Sequence, residues 1–200
     1  MNIHLVEKHF YPYRILDIGA NIGQFHTLCK NTYPDSYIYS IEPSEDCSHS
    51  LSTLTENFAI KLLGKKKQIV DFYTNKHCST STGNSIYREN TKYFSDEETE
   101  VVKRTTERLD DIFGEEEEFD LIKMDTQGSE LDIIEGGLKL VSKAKGVLLE
   151  IAHINYNEGA PQHDEVVAYM DTIGFYVAET LEEHWFNGEL SHVDYLFLRK

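Results

Sequence analysis

Four carboxylates and a histidine stand at the ends of apolar, β-prone runs, where an open parallel sheet presents its ligand-binding edge. Asp17 lies in the run at 13–18, Glu42 follows YIYSI, Asp125 closes FDLIKMD, and VLLEI contains Glu150 with His153 just behind it. If those runs are neighbouring strands, the five groups share one rim. Carboxylates and an imidazole so placed can hold hydroxyl groups and move their protons. Between Asp17 and Glu42 runs Asp-x-Gly-x-Asn-x-Gly, in which Gly19 and Gly23 permit a tight turn and close approach of backbone to ligand. A helical pattern starts directly behind it, so N–H groups of the turn and helix start are expected to aim into the cleft. Ala20 and Pro43 flank the turn and Glu42.

Glu42 comes about twenty residues after the turn, where an acidic side chain accepts both ribose hydroxyls of a nucleoside. The competing reading is a helix-start carboxylate favoured by the macrodipole. A dinucleotide turn needs G-x-G-x-x-G, with a second glycine making room for pyrophosphate. Asn21 stands there instead. Its side chain would crowd a pyrophosphate but can hydrogen-bond an amino-acid-like tail, which suits S-adenosylmethionine better than NAD.

The elements that must position these groups follow from periodicity. Strand at 13–18, helix at 22–30 with Ile22, Phe25 and Cys29 on one face, strand at 37–41 and a helix with Cys47, Leu51, Leu54 and Phe58 in a stripe alternate regularly. That alternation predicts a parallel sheet with right-handed crossovers. Further strands are expected at 58–63, 119–125 and 147–151. A helix carrying Leu131, Ile134 and Leu138 is interrupted at Gly136-Gly137, and another covers 164–173. Residues 69–73 and 101–106 are β-prone, the first as a segment at the sheet margin. Residues 77–90, with CSTSTGNS, read as a loop that is either functional or a plain surface excursion. Segments 175–180 and 195–199 are expected to form an antiparallel pair at one edge. The connection LEEHWFNGEL exposes Trp185 and Phe186 as a dimer contact or a substrate wall. One domain over 1–200 is expected, and its oligomeric state is not readable.

Composition narrows the partners. The formal net charge of −16 repels phosphate backbones, so no nucleic-acid partner is expected. Lys65 to Lys67 and the acidic run at 115–118 read as solvated surface. No apolar run is long enough to span a bilayer, and the first fourteen residues lack a signal-peptide core. Cys29, Cys47 and Cys78 show no CxxC spacing, which argues against disulfides and zinc. A soluble cytoplasmic protein is expected.

DIGANIGQF, IEPSE, DLIKMDTQGSELDIIEGG and LLEI together resemble the FkbM family of S-adenosylmethionine-dependent methyltransferases. STSTGNS, RTTERLDDIF, YNEGAPQHDEVVAYMDTIGF and DYLFLRK extend the resemblance from Arg14 to Lys200. It implies an α/β, Rossmann-like class I fold: a mostly parallel seven-stranded sheet with an antiparallel last strand and helices on both faces. It also implies O-methylation of a small molecule, sugar or glycan. Asp17, Gly19, Asn21 and Gly23 match the family's cofactor turn and Glu42 its ribose acceptor. Leu62 or Leu63 falls beside the adenine, where the family often has a smaller Ala.

Methyl transfer is an in-line displacement that depends mainly on alignment and exclusion of water. A hydroxyl acceptor also loses its proton, and Asp125, Glu150 and His153 are the candidates to take it. Asp125 can alternatively start a helix, Glu150 can pair with Lys123, and His153 can be a hydrogen-bonded rim histidine. The same carboxylates could instead hold a divalent cation, but the ligand spacing is not diagnostic and no metal is assigned. Two other functions compete: a non-catalytic cofactor-binding module, and an NAD-dependent oxidoreductase, which would need a third glycine and a Tyr-x-x-x-Lys pair that is absent.

Overall fold

Period-two apolar runs bounded by turn residues become strands here, and the amphipathic stretches between them become crossover helices. The computed structural model describes residues 1–186 and 188–200, so Asn187 of the LEEHWFNGEL segment lies outside the described residues. After a 3₁₀ turn at Ile3–Lys8 come β1 (Arg14–Ile18), α1 (Gln24–Thr32), β2 (Tyr37–Glu42), α2 (Ser48–Leu54) and β3 (Phe58–Ile60). Then follow β4 (Ile69–Asn75), β5 (Thr99–Thr105), β6 (Leu121–Met124), α3 (Glu130–Gly136), α4 (Leu138–Val141) and β7 (Gly146–Ala152). The chain closes with α5 (His163–Thr172), β8 (Phe175–Phe186) and β9 (Glu189–Arg199).

Seven strands form one sheet in the order β3-β2-β1-β6-β7-β9-β8. β1 pairs in parallel with β2 and β6, β6 with β7, and β9 runs antiparallel between β7 and β8. This is the Rossmann-like class I methyltransferase architecture. Strand order reverses between β1 and β6, so the cleft opens past the carboxyl ends of those two strands.

The sheet is apolar on both faces, as central parallel strands must be. Leu16, Ile122, Leu149 and Phe197 point to one side, where Ile133, Ile134, Val166 and Met170 of α3 and α5 bury them. Ile15, Leu121, Leu148 and Leu196 point to the other, against Phe25 and Cys29 of α1 and Ile3 and Val6 of the 3₁₀ turn. Each such aliphatic side chain, fully buried, stabilises the fold by about 1.5–3 kcal/mol. Gly137 separates α3 from α4, the interruption expected at the glycine pair. All three cysteines are free.

Two expectations are corrected. β4 does not lie at the sheet margin; it pairs with β5 as a separate antiparallel ribbon. The segment expected to connect the last strands is itself strand: Trp185 and Phe186 end β8 in a long hairpin with β9. Both aromatics are exposed on that hairpin.

Candidate active site

The turn after β1 is built by packing within the protein. Gly19 and Gly23 have φ of +75° and +91°, and Asn21, at +49°, shares the left-handed region that its short side chain tolerates. A Cβ on Gly19 would stand 1.9 Å from the Asp125 carbonyl oxygen, and one on Gly23 would stand 2.3 Å from Leu54. Gly19 is therefore required by the backbone that follows β6, and Gly23 by its left-handed conformation. The turn's N–H groups do not point unused into the cleft. Gly19 and Ala20 donate to the Ile41 carbonyl, Asn21 to Glu42 Oε2, Ile22 to Asn21 Oδ1 and Gly23 to the Ala20 carbonyl. All five amides are satisfied, so this turn is no phosphate cradle.

Glu42, at the end of β2, lines the cleft while taking two backbone donors. Oε2 accepts from Asn21 at 2.8 Å and Oε1 from Ser44 at 2.9 Å. Burial raises its pKa, against which the two N–H groups act. Each oxygen keeps a second lone pair, so the carboxylate can still accept two hydroxyl donors. The cleft has Leu62, Leu63, Phe72 and Ile133 on an apolar wall. An acidic end and an apolar wall fit the ribose and base of a nucleoside.

The Ser- and Thr-rich loop folds over this cleft, with Ser81, Thr82, Asn84 and Ser85 among its lining residues. Three polar side chains hold it down. Asn21 Nδ2 donates to the Thr80 carbonyl (2.9 Å), Ser44 Oγ to the Ser79 carbonyl (3.1 Å), and Ser85 Oγ to the Gln127 carbonyl (2.9 Å). Asn21, expected to bind a ligand's tail, spends its amide nitrogen on this latch. Pro43 also lines the cleft, and its carbonyl accepts from Arg104 of β5, tying the ribbon to the same wall.

Beneath the turn, Lys123 is a buried ammonium. Its Nζ lies 3.4 Å from Asp17 Oδ1 and 3.5 Å from Asp125 Oδ2, and donates to the Gly19 carbonyl at 3.1 Å. Burial would strip its proton, but Asp17 and Asp125 hold the pKa above the ordinary lysine value. Asp17 is fully buried and its pKa is raised by that burial, Lys123 opposing. Desolvation also acts to raise Asp125, yet Lys123 and a hydrogen bond from Gln127 bring it below the ordinary value. Asp125, 38 % exposed, reaches the cleft. It does not start α3. Glu130 does that, its Oε1 accepting from the Thr126 N–H at 2.8 Å.

Gln127 joins the two carboxylates. Its φ of +54° is unusual for a residue other than Gly, Asn or Asp. The conformation sets Nε2 3.0 Å from both Asp125 Oδ1 and Glu150 Oε2. Glu150 is pushed up strongly, first by burial and then by Asp125 and Asp194. Its partners are Gln127 and, at 3.9 Å, His184, with no direct pairing to Lys123 among the described residues.

His153 does not join Asp125 and Glu150. Its Nε2 lies 3.0 Å from Tyr195 Oη and its ring packs on His163 at 4.3 Å. Side chains alternate along a strand, so a residue three beyond Glu150 shares the face of Ile151, not that of Glu150. Burial lowers its pKa, with His163 adding to the effect. Sequence reasoning missed Gln127, His184 and Asp194. The signal for Gln127 was its place beside Gly128 in a turn that follows a buried strand.

Comparison with known proteins agrees with this geometry. The methyltransferase FkbM domain model matches residues 17–177. No curated protein matches the chain. Among solved structures, the methyltransferase FkbM of Methylobacillus flagellatus KT superposes with a TM-score of 0.55 at 14 % identity, over 92 % of this chain and 43 % of that one. The chain thus spans under half the length of that protein. Magnesium protoporphyrin IX methyltransferase of Synechocystis PCC 6803, solved with bound S-adenosylmethionine, gives 0.57 at 10 % identity, over 98 % of this chain and 74 % of that one. A tRNA methyltransferase of B. subtilis gives 0.53 at 11 % identity, over 100 % and 65 %. At these identities the likeness is one of fold.

Proposed function

The chain belongs to the FkbM methyltransferase family, and from that premise we propose that it transfers a methyl group from S-adenosylmethionine to a hydroxyl of a small molecule, sugar or glycan. The observation that carries the donor is the pairing of an amide-saturated turn with a carboxylate open to the cleft. With residues 19–23 all internally bonded, a pyrophosphate would find no free N–H group within the turn itself, which disfavours NAD. Glu42 and the Leu62–Leu63 wall instead suit an adenosine end. S-adenosylmethionine held there would supply an electrophilic sulfonium methyl.

The chain's own groups then align the acceptor and keep water away. We place Asp125 against the acceptor hydroxyl, with Gln127 fixing one of its oxygens and Glu150 behind it. The loop latched by Asn21 and Ser44 closes the donor side. A net charge of −16 supports a neutral acceptor over a polyanion. A cytoplasmic setting completes the proposal.

Calorimetric titration with S-adenosylmethionine tests the donor: binding is expected, weakened at least about tenfold in Glu42→Ala by the loss of hydrogen bonds to a charged group. No heat in the wild type would overturn the assignment. Labelled-methyl transfer to a panel of hydroxylated acceptors then separates enzyme from mere binder. On a working acceptor, Asp125→Asn is expected to lose turnover by about 100-fold or more while His153→Ala stays near wild type. The reverse ranking would return the base to the imidazole.

A further inference from the structure

The last two strands bring another set of donors beside β7, next to a smaller pocket lined by Gln127, Glu150 and His192. Glu150 on β7 stands directly opposite Asp194 on β9, and Asp194 stands opposite Glu182 on β8. Like charges in such positions destabilise a sheet. Glu182 is met by the Met1 amine, but no lysine or arginine pairs with Glu150 or Asp194 among the described residues. Lys123 is already engaged by Asp17 and Asp125.

What stands between them is an imidazole. His184 Nε2 lies 3.1 Å from Asp194 Oδ2 and 3.9 Å from Glu150 Oε1. One ligand atom from each of the three residues falls within 4.8 Å of the others. The side chain of Asp194 is only 5 % exposed, yet its sole hydrogen-bond partner among the described residues is His184. Glu150 Oε1 has none at all, because Gln127 binds only Oε2. Two desolvated carboxylates thus turn their remaining oxygens to one point, and a half-exposed imidazole joins them there.

We propose that Glu150, His184 and Asp194 form a binding site for a divalent transition-metal ion, of the Mn²⁺ or Zn²⁺ kind, beside the cleft and across Gln127 from Asp125. Metal–ligand bonds near 2.0–2.2 Å place adjacent donors roughly 3–3.5 Å apart, so the present spacings need only small side-chain rotations. Two carboxylates with one imidazole make a mixed oxygen–nitrogen donor set, which suits these ions better than Mg²⁺ or Cu⁺. Three protein ligands leave positions open to water or a substrate oxygen. The donors sit on three adjacent strands, which hold a site more accurately than loops do. Supporting contacts are in place: Gln127 Nε2 fixes Glu150 Oε2, and Ser191 Oγ donates to the His184 carbonyl at 2.9 Å. Through Gln127 the ion would lie one side chain from Asp125. Its role there, to hold the acceptor oxygen and ease loss of its proton, rests on the methyltransferase reading; its binding does not.

The test is titration of the full, metal-stripped chain with Mn²⁺, followed by electron paramagnetic resonance, and with Zn²⁺ by equilibrium dialysis. One equivalent of either ion is expected to bind, with at least 50-fold weaker affinity in His184→Ala and in Asp194→Asn. The second variant keeps the side chain's shape, so its loss reports the ligand and not the fold. No stoichiometric uptake of either ion by the wild type, or uptake unchanged in both variants, overturns the site. S-adenosylmethionine affinity, measured by calorimetry on the same samples, is expected to be unaltered. It reports on the donor assignment separately, so either can fail while the other stands.

Discussion

Lys123 shows how one side chain can hold a functional turn from below. Its ammonium neutralises Asp17, braces the Gly19 carbonyl and keeps Asp125 ionised. Asp17 oxygens accept no hydrogen bond from any described group, so Lys123 is all that offsets a wholly buried charge. Lys123→Met is therefore expected to cost about 3–5 kcal/mol, the penalty for orphaning a buried ion-pair partner. Urea unfolding measures this, and adding Asp17→Asn should recover part of the loss. If Lys123→Met alone is near neutral, the brace is not structural. Residue types in the sequence marked Asp17, Glu42, Asp125 and Glu150 as rim groups; Glu42 and Asp125 line the cleft, while Asp17 is buried beneath the turn and Glu150 lines a neighbouring pocket. The partner of Lys123 was not legible, because Asp17 faces it only through the β1–β6 register, which joins segments about a hundred residues apart. The separation of His153 from Glu150 was legible: odd spacing along a strand puts them on opposite faces.

At the scale of elements, the loop over the cleft depends on Asn21, Ser44 and Ser85 more than on any apolar contact. Asn21→Ala removes the hydrogen bond to Thr80 and should loosen the 78–86 segment. S-adenosylmethionine affinity is then expected to fall by about 1 kcal/mol, the worth of one such bond, with faster amide exchange confined to that segment. Unchanged exchange there would mean that the loop is held by something else. The parallel strands and their helices were readable because apolar spacing alone decides them. The antiparallel pairing of 175–180 with 195–199 was readable too, but the extension of that hairpin through Trp185 and Phe186 was not. Register shifts between Val177 and Glu179, Thr180 and Glu182, and His184 and Trp185 break the two-residue alternation that marks a strand. The ribbon of β4 and β5 escaped for a related reason. Most of its residues are half-buried or exposed, with Phe72 and Thr99 buried, so it carries no continuous apolar face to give its pairing away.

Considered as a whole, the molecule carries several imidazoles whose burial keeps them neutral. His26 is lowered by desolvation with Lys30 adding to it, and His192 is lowered to about 4 by burial and by His184. With pKa values lowered in the folded state, the unfolded chain takes up protons first as pH drops below about 6.5. The part of the stability that these imidazoles contribute should therefore be level above that pH and decline below it. Chemical unfolding at pH 7.5 and 5.5 checks the direction, and His26→Leu should make the decline shallower. A decline equally steep in that variant would remove His26 as a cause.

The strand order has one more consequence, which concerns synthesis. A ribosome releases the chain from its amino end, so β1, β2 and β3 emerge together and need only β6 and the TQGSE turn to shape the donor cleft. The opposite rim is different. Glu150 stays at an open sheet edge until β9, among the last residues made, slides between β7 and β8. A nascent chain could thus hold its methyl donor while still lacking the wall that meets the acceptor. Premature termination near residue 186 would leave Glu150 without Asp194, its cross-strand neighbour.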